Sequence, residues 1–134
     1  MAHTECDLPP SKLLENWPAA VIDNNGTFKY VLIEAYATDP DKPDNEHSKL
    51  LVRGNVRAEY HADVYDVEDE RLRAKGLDGQ CLGGGRIFHD PSKKFIRVYG
   101  YSVGFGRADH TKTVEVLRTK YGPDYKIEWS NEGY

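Results

Sequence analysis

Residues 19–37 read AAVIDNNGTFKYVLIEAYA, and this stretch decides the class of fold. Its second part, 27–37, is rich in β-branched and aromatic residues, which favours a strand. The residues Asn24-Asn25-Gly26 predict a turn before it, because Asn and Gly tolerate positive φ. A short strand at 19–23 is therefore expected to lead through this turn into a long returning strand.

Six further segments carry strand or helix signals. Apolar and β-branched runs bounded by Gly, Pro and Asp predict strands at 48–53, 80–88, 94–102 and 125–130. Apolar residues at helical spacing predict helices at 59–75 and 109–121. The order is strand-strand-strand-helix-strand-strand-helix-strand. It predicts an α+β fold, with a single mixed, mainly antiparallel sheet of about six strands and two main helices packed on it.

The limits and faces of the two helices follow from their residues. Gly76 and Gly122 are the expected stops, and Asp109 is the expected N-cap of the second helix. The predicted buried faces are Tyr60, Val64, Val67 and Leu72 in the first helix, and Val114, Leu117 and Tyr121 in the second.

The length of 134 residues fits one domain. The prolines at 9, 10 and 18 interrupt the first twenty residues. We therefore expect a mobile leader at 1–18, in which Ser11 caps a short helix through Trp17, and a single domain at 19–134.

Composition and charge narrow the classes of partner. The net charge of −4 is unlike the basic balance of a nucleic-acid-binding protein, so no nucleic-acid partner is expected. The longest apolar runs, such as 30–33, are too short to cross a bilayer, and residues 1–20 hold no secretory h-region. No membrane association is expected, and the expected location is cytoplasmic.

Two glycine clusters could bind an anion. Gly83-Gly84-Gly85 lies inside a predicted strand, and Gly100, Gly104 and Gly106 follow the next strand around Ser102. Successive backbone N–H groups in such turns form anion-binding nests, and a serine hydroxyl adds a donor. A bulge and a surface turn would explain the same glycines without any ligand.

Three cations stand next to these strands and glycines. Lys29 interrupts an apolar strand, and Arg53 and Arg86 each adjoin glycine. Arginine suits phosphate through its two-pronged donor geometry, and lysine acts as a point charge. The alternative is that all three face solvent or pair with carboxylates.

Histidine is the candidate for proton transfer or nucleophilic attack near neutral pH. Of five histidines, His61 and His110 each lie at the start of a predicted helix. An exposed or structurally bonded histidine is the alternative at both places. The residues alone leave that choice open.

Two other kinds of site have weaker support. Residues 100–104 match G-x-S-x-G, but the following helix begins several residues later than a serine-hydrolase elbow requires. His61 with Asp63, or His89 with Asp90, could contribute metal ligands, yet no H-E-x-x-H or C-x-x-C spacing is present. No metal site is therefore expected from these residues.

Taken together, these blocks resemble the phosphohistidine phosphatase family, also called the Janus/Ocnus family. The blocks are FKYVLI at 28–33, VRG at 52–54, AEYHADVYD at 58–66, CLGGGRI at 81–87, VYGYSVGFG at 98–106 and WSNEGY at 129–134. They run in order from about Ala20 to Tyr134. Gly104 departs from the pattern, since a mammalian relative carries alanine there.

The resemblance implies a small α+β fold and a set of site residues. It implies that His61 is the catalytic residue. The residues implied to bind substrate are Lys29, Arg53, Arg86, Ser102, Val103 and Gly104. No metal and no cofactor are implied.

The activity implied by the resemblance is metal-independent hydrolysis of the P–N bond of phosphohistidine, with phospholysine as a further substrate left open. His61 would act as general base or as nucleophile. The implied partners are phosphohistidine-containing proteins, and a monomer is expected. The alternative is a non-catalytic phosphohistidine-binding or regulatory protein of the same family, whose insect branch includes sex-regulated proteins.

Overall fold

The computed structural model describes residues 8–132. Its elements are, in order, α1 (Pro10–Asn16), β1 (Ala20–Ile22), β2 (Gly26–Thr38), β3 (Glu46–Asn55), α2 (His61–Ala74), β4 (Asp78–Asp90), β5 (Phe95–Tyr99), α3 (His110–Tyr121) and β6 (Lys126–Trp129), with a short 3-10 turn at Pro91–Lys93. The predicted order of strands and main helices is confirmed. The strands β2, β3 and β4 are longer than expected, and α2 begins two residues later.

The six strands form one sheet in the order β1-β3-β2-β4-β5-β6. The central pairs β3–β2, β2–β4 and β4–β5 are antiparallel. The outer pairs β1–β3 and β5–β6 are parallel. The prediction of a mixed, mainly antiparallel sheet is therefore confirmed.

The predicted hairpin between β1 and β2 is wrong. The chain does turn at Gly26, whose φ is 105°, but β1 pairs in parallel with β3, on the far side from β2. The physical reason is that β2 is thirteen residues long and largely buried. It pairs along most of its length with β3 and β4, which leaves the three-residue β1 only an outer edge.

Alternate residues of β2 build the core on both faces of the sheet, as the two-residue period of a strand requires. Tyr30 and Leu32 pack in a cluster with Leu117 of α3. Val31 packs in a second cluster with Leu72 of α2. Each large apolar side chain buried in this way stabilises the fold by about 1.5–3 kcal/mol. We call the two sides of the sheet the α3 face and the α2 face.

Half of the predicted buried face of α2 is correct. Val64 and Leu72 are buried, whereas Tyr60 and Val67 are 64% and 61% exposed. The buried position next to Val67 belongs instead to Glu68, a carboxylate that apolar spacing does not reveal. On α3 the predicted cap is confirmed, because the Asp109 side chain accepts a hydrogen bond from the Thr111 N–H.

The helix α1 packs on the α2 face, where Leu13 and Leu14 are buried. Ser11 does not cap this helix, contrary to the prediction. Its N–H and hydroxyl donate to Asp39, at 2.8 and 2.6 Å, while Lys49 Nζ donates to the carbonyl of Trp17 at the other end. The predicted boundary at residue 18 therefore does not separate α1 from the core. The rest of the predicted leader, residues 1–7, lies outside the described residues.

No helix within residues 8–132 is both long enough and apolar enough to span a bilayer.

Candidate active site

Two cations lie side by side on the α2 face of the sheet. Lys29 of β2 and Arg86 of β4 are register partners. Both line one cavity at the start of α2. In the described part of the chain, neither side chain forms a salt bridge or a hydrogen bond. They are therefore available to a dianion, in a protein whose net charge is −4.

His61 is the first residue of α2 and faces these cations. The preceding turn is fixed because the Asp63 carboxylate accepts the Tyr60 N–H at 2.9 Å. The ring Nε2 of His61 lies 2.9 Å from the carbonyl oxygen of Gly85. A carbonyl only accepts, so Nε2 carries the proton. The lone pair of the neutral ring is then on Nδ1.

The surroundings favour this neutral form. Partial burial lowers the pKa of His61, and the charges of Lys29 and Arg86 lower it further. The hydrogen bond to the Gly85 carbonyl acts in the opposite direction, and the net pKa lies below the usual value of 6.5. At neutral pH, His61 is therefore a base with its lone pair free.

The glycine run explains how the ring can lie so close to the sheet. A β-carbon on Gly84 would lie 2.7 Å from His61 Cδ2 and 2.8 Å from the Tyr30 carbonyl oxygen. Gly83 has a φ of 148° at the irregularity where Leu32 pairs with Gly83 and Ile33 pairs with Cys81. The bulge considered from the sequence is thus present. The same glycine run therefore forms the bulge and also lies against the His61 ring at the cavity.

A tight loop at residues 100–106, called the Ser102 loop below, contributes Ser102 and its neighbours to the cavity. The backbone groups of Ser102 and Gly106 exchange two hydrogen bonds, at 3.1 and 2.8 Å. The Gly84 N–H donates to the Gly106 carbonyl at 3.0 Å, which ties the loop to β4. Ser102 Oγ accepts the Phe105 N–H at 3.1 Å, so the hydroxyl proton of Ser102 is left to donate elsewhere.

Val103 and Gly104 form the tip of this loop and are exposed. Neither backbone N–H donates a hydrogen bond within residues 8–132. They are therefore available to an anion in the cavity. A β-carbon on Gly104 would meet no atom within 4 Å, so alanine fits there.

The structure brings together all but one of the predicted site residues. They surround a cavity of about 520 Å³ whose lining includes Lys29, His61, Arg86, Ser102, Val103 and Gly104. The sequence reasoning missed the other lining residues, which are Tyr60, Ala62, Tyr101 and Phe105. Their position next to His61 and Ser102 in the chain was the available signal.

Comparison with known proteins identifies the family. The sequence profile of the Janus/Ocnus family matches residues 14–126. The chain belongs to the Janus/Ocnus family.

Similar relatives carry two kinds of name. The chain is 48% identical over 117 residues to the 14 kDa phosphohistidine phosphatase of Sus scrofa, covering 87% of this chain and 92% of that protein. Identity to the 14 kDa phosphohistidine phosphatase of Homo sapiens is 45% over 117 residues, covering 87% and 93%. The sex-regulated protein janus-A of Drosophila pseudoobscura pseudoobscura is 49% identical over 118 residues, covering 87% and 77%.

In this Janus/Ocnus protein Arg53 does not line the cavity, contrary to the expectation for a phosphate ligand. Its Nε lies 3.1 Å from Glu68 Oε1, and its Nη2 donates to Glu68 Oε2 at 3.3 Å. The Nε contact is an ion pair without an aligned hydrogen bond. Nη1 and Nη2 also donate to the carbonyls of Val52, Ala19 and Pro18. Arg53 and Glu68 are both buried, and their ion pair joins β3 to α2.

His110 is the other histidine at the start of a helix in this family member, and both of its ring nitrogens are engaged in structural hydrogen bonds. His110 is buried on the α3 face, and its Nε2 donates to the Gly100 carbonyl at 2.9 Å. Its Nδ1 accepts from the Tyr30 hydroxyl at 2.6 Å, and that hydroxyl lies 3.0 Å from Thr113 Oγ1. Burial raises the pKa of Tyr30 far above its usual range, so the hydroxyl keeps its proton. This chain of bonds anchors the first residue of the Ser102 loop.

Neither of the weaker sites is formed in the described residues. Ser102 is buried, and its Oγ is bonded to a backbone N–H rather than to histidine. Since α3 begins only at His110, the G-x-S-x-G match is not a nucleophile elbow. Between residues 8 and 132, no three His, Cys, Asp or Glu side chains are grouped as a metal site requires.

Two other depressions are larger but offer less chemistry. One, of about 820 Å³, lies beside Phe88 and Trp129, and its charged pair Arg97–Glu128 is joined at 2.7 Å. The other, of about 580 Å³, lies between α1 and the start of β3, where Lys49 and Asp39 already hold the ends of α1. The His61 cavity is the candidate active site because it combines a neutral histidine with two cations that are unpaired within residues 8–132, although it is smaller than these two depressions.

Proposed function

We propose that the chain is a phosphohistidine phosphatase that hydrolyses the P–N bond of phosphohistidine in proteins without a metal ion. The observation that carries the proposal is one cavity in which the free Nδ1 of His61 meets two unpaired cations, Lys29 and Arg86. The phosphohistidine phosphatases of Sus scrofa and Homo sapiens, at 48% and 45% identity, support the choice of substrate.

The cavity supplies what phosphoryl transfer needs. Such a transfer passes through a loose transition state, so catalysis is mainly positioning and neutralisation of charge. Lys29 and Arg86 neutralise the phosphoryl oxygens. The N–H groups of Val103 and Gly104 and the hydroxyl of Ser102 orient those oxygens, as an oxyanion hole does. Two cations and a loop of donors thus take the place that a metal ion has in other phosphatases.

Hydrolysis can use His61 in two ways. As a general base, Nδ1 takes a proton from water while the water oxygen bonds to phosphorus. The P–N bond breaks, its electron pair goes to the leaving imidazole nitrogen, and that nitrogen takes a proton from solvent. As a nucleophile, Nδ1 bonds to phosphorus while the substrate P–N bond breaks, and the leaving imidazole nitrogen takes its electron pair and then a proton from solvent. Water then attacks the phosphorus on His61, the new P–N bond breaks, and its electron pair returns to Nδ1 as phosphate leaves. We favour the general base, and a phosphorylated His61 in rapid-quench samples would contradict that choice.

The role of Arg53 is indirect in this proposal. Its guanidinium is bound to Glu68, away from the cavity. It therefore acts through the position of α2, whose first residue is His61. The family's implied phosphate contact is assigned to Lys29 and Arg86 alone.

The test is phosphate release from a phosphohistidine peptide, with a chelator present and with phosphoserine and phosphotyrosine peptides of the same sequence alongside. We expect turnover of the phosphohistidine peptide and a large loss in Lys29→Met. The matched control is Lys112→Met, an exposed lysine on α3 outside the cavity. Binding of the peptide without any turnover would contradict the proposal and favour the non-catalytic phosphohistidine-binding protein.

A further inference from the structure

Exposed aromatic side chains surround the mouth of the His61 cavity. Among the described residues, nine large apolar side chains are exposed, and three of them, Tyr60, Tyr101 and Val103, line this one cavity. Tyr60 is 64% exposed, and its ring makes no hydrogen bond or ring contact within residues 8–132. Exposed apolar side chains concentrated at one place mark a binding surface.

The aromatic side chains at this cavity come from two segments of the chain. Tyr60 lies directly before His61 at the start of α2, with its backbone held by Asp63. Tyr101 and Phe105 belong to the Ser102 loop, and the ring of Phe105 is held edge-on by Tyr65, with centroids 5.7 Å apart. The cations Lys29 and Arg86 belong to the sheet strands β2 and β4 and line the same cavity. The cavity therefore has a charged floor and an aromatic entrance.

A phosphohistidine side chain matches this division. Its phosphoryl group is bonded directly to a flat aromatic ring, so a phosphoryl group on the cations places the imidazole in the same cavity as these aromatic side chains. We propose that Tyr60, which lines this cavity together with Tyr101 and Phe105, binds the imidazole of phosphohistidine and makes the site prefer it to phospholysine. This specificity role rests on the proposed function.

The expected preference has a physical basis. An aromatic pair contributes beyond the area that it buries, whereas the alkyl chain of phospholysine gains no such contact. A long flexible chain also loses more rotamer freedom when it is immobilised. The aromatic contribution corresponds to a preference of about 3- to 10-fold.

The experiment compares two peptides of one sequence that carry phosphohistidine or phospholysine at the same position. Calorimetry measures their affinities for His61→Ala, which is expected to leave the peptides intact, and for His61→Ala with Tyr60→Leu. We expect the first protein to bind the phosphohistidine peptide about 3- to 10-fold more tightly, and the second to bind both peptides within about 2-fold. Tyr60→Phe retains the ring and should retain most of the preference.

The matched control is Trp129→Leu in the His61→Ala background, because Trp129 is an exposed aromatic residue outside this cavity. It should keep the full preference. The proposal is overturned if His61→Ala binds both peptides equally well, or if the preference survives the added Tyr60→Leu. Equal weakening of the binding of both peptides by Tyr60→Leu counts as survival of the preference. Wild-type turnover is measured separately. A chain that lacks turnover but shows the Tyr60-dependent preference refutes the proposed function and supports the specificity role.

Discussion

Replacing Gly84 with alanine tests whether the sheet itself positions the ring of His61, the proposed catalytic residue. Gly84 lies on β4 between His61 and the Ser102 loop, and a β-carbon there would lie 2.7 Å from His61 Cδ2. It would also lie 2.8 Å from the carbonyl oxygen of Tyr30, in the central strand, and 3.1 Å from Ser102 Cβ. The backbone of the central strand cannot retreat, so the ring and the loop must move.

The size of the effect follows from these distances. Ordinary contact begins at 3.4 Å, so the ring must retreat from 2.7 Å by about 0.7 Å. A displacement of about 1 Å in a catalytic group costs about 100-fold in rate, so we expect Gly84→Ala to lose about 10- to 100-fold in kcat/KM. Overpacking of this kind costs about 1–3 kcal/mol of stability.

The assay is kcat/KM on a phosphohistidine peptide, together with the free energy of unfolding in urea to show that the variant is folded. Gly104→Ala is the matched control in the same cavity, because its β-carbon meets nothing within 4 Å and its N–H remains. We expect that control to lose less than about 3-fold. A folded Gly84→Ala with activity within 3-fold of wild type would refute the account of how His61 is placed.

Three further predictions follow from the charges and burial around the site. Burial and nearby cations lower the pKa of His61, so the acid limb of the pH–rate profile should lie below pH 6.5. Arg86→Met removes one of these cations and should raise the His61 pKa in an NMR titration. An unchanged or lower His61 pKa in this variant would contradict the effect of the cation. Burial also lowers the pKa of His110, so the unfolded chain binds more protons than the folded one below about pH 6.5. The free energy of unfolding should therefore fall between pH 7.5 and pH 5.5, and an equal or higher value at pH 5.5 in urea titrations would oppose this. Arg53→Met removes one ion pair from the buried Glu68 carboxylate, which keeps Trp17 Nε1–H at 2.6 Å and Arg71 at 3.4 Å as partners, so it should cost about 1–3 kcal/mol of stability with little change in KM for the folded fraction. A variant as stable as the wild type with a strongly raised KM would instead make Arg53 a phosphate ligand.

The sequence predicted the elements of the fold because their signals are local. The run at 27–37, the cap at Asp109 and the stop at Gly76, whose φ is 76°, each depend on a few adjacent residues. The pairing of β1 with β3 was missed because it depends on which strands pair with the two edges of β2, and these are the long strands β3 and β4. The turn residues 24–26 do not indicate which of these distant segments will pair with β2.

The site was predicted where residue type and family pattern suffice. His61, Lys29 and Arg86 were found in this way, and the structure places them around one cavity. The partner of Arg53 was missed because Glu68 lies fifteen residues away in the chain. Helical spacing places position 68 on the buried face between Val64 and Leu72, but a carboxylate is not expected to be buried there. The carbonyl of Gly85, which fixes the tautomer of His61, is a backbone group, and every residue supplies one.

The most direct test of the central claim is phosphate release from a phosphohistidine peptide by the wild type and by His61→Ala, both in EDTA. The account predicts that the wild type is active in EDTA and that His61→Ala loses about 100-fold or more while remaining folded. Activity of His61→Ala within 3-fold of the wild type, or loss of wild-type activity in EDTA, would contradict it.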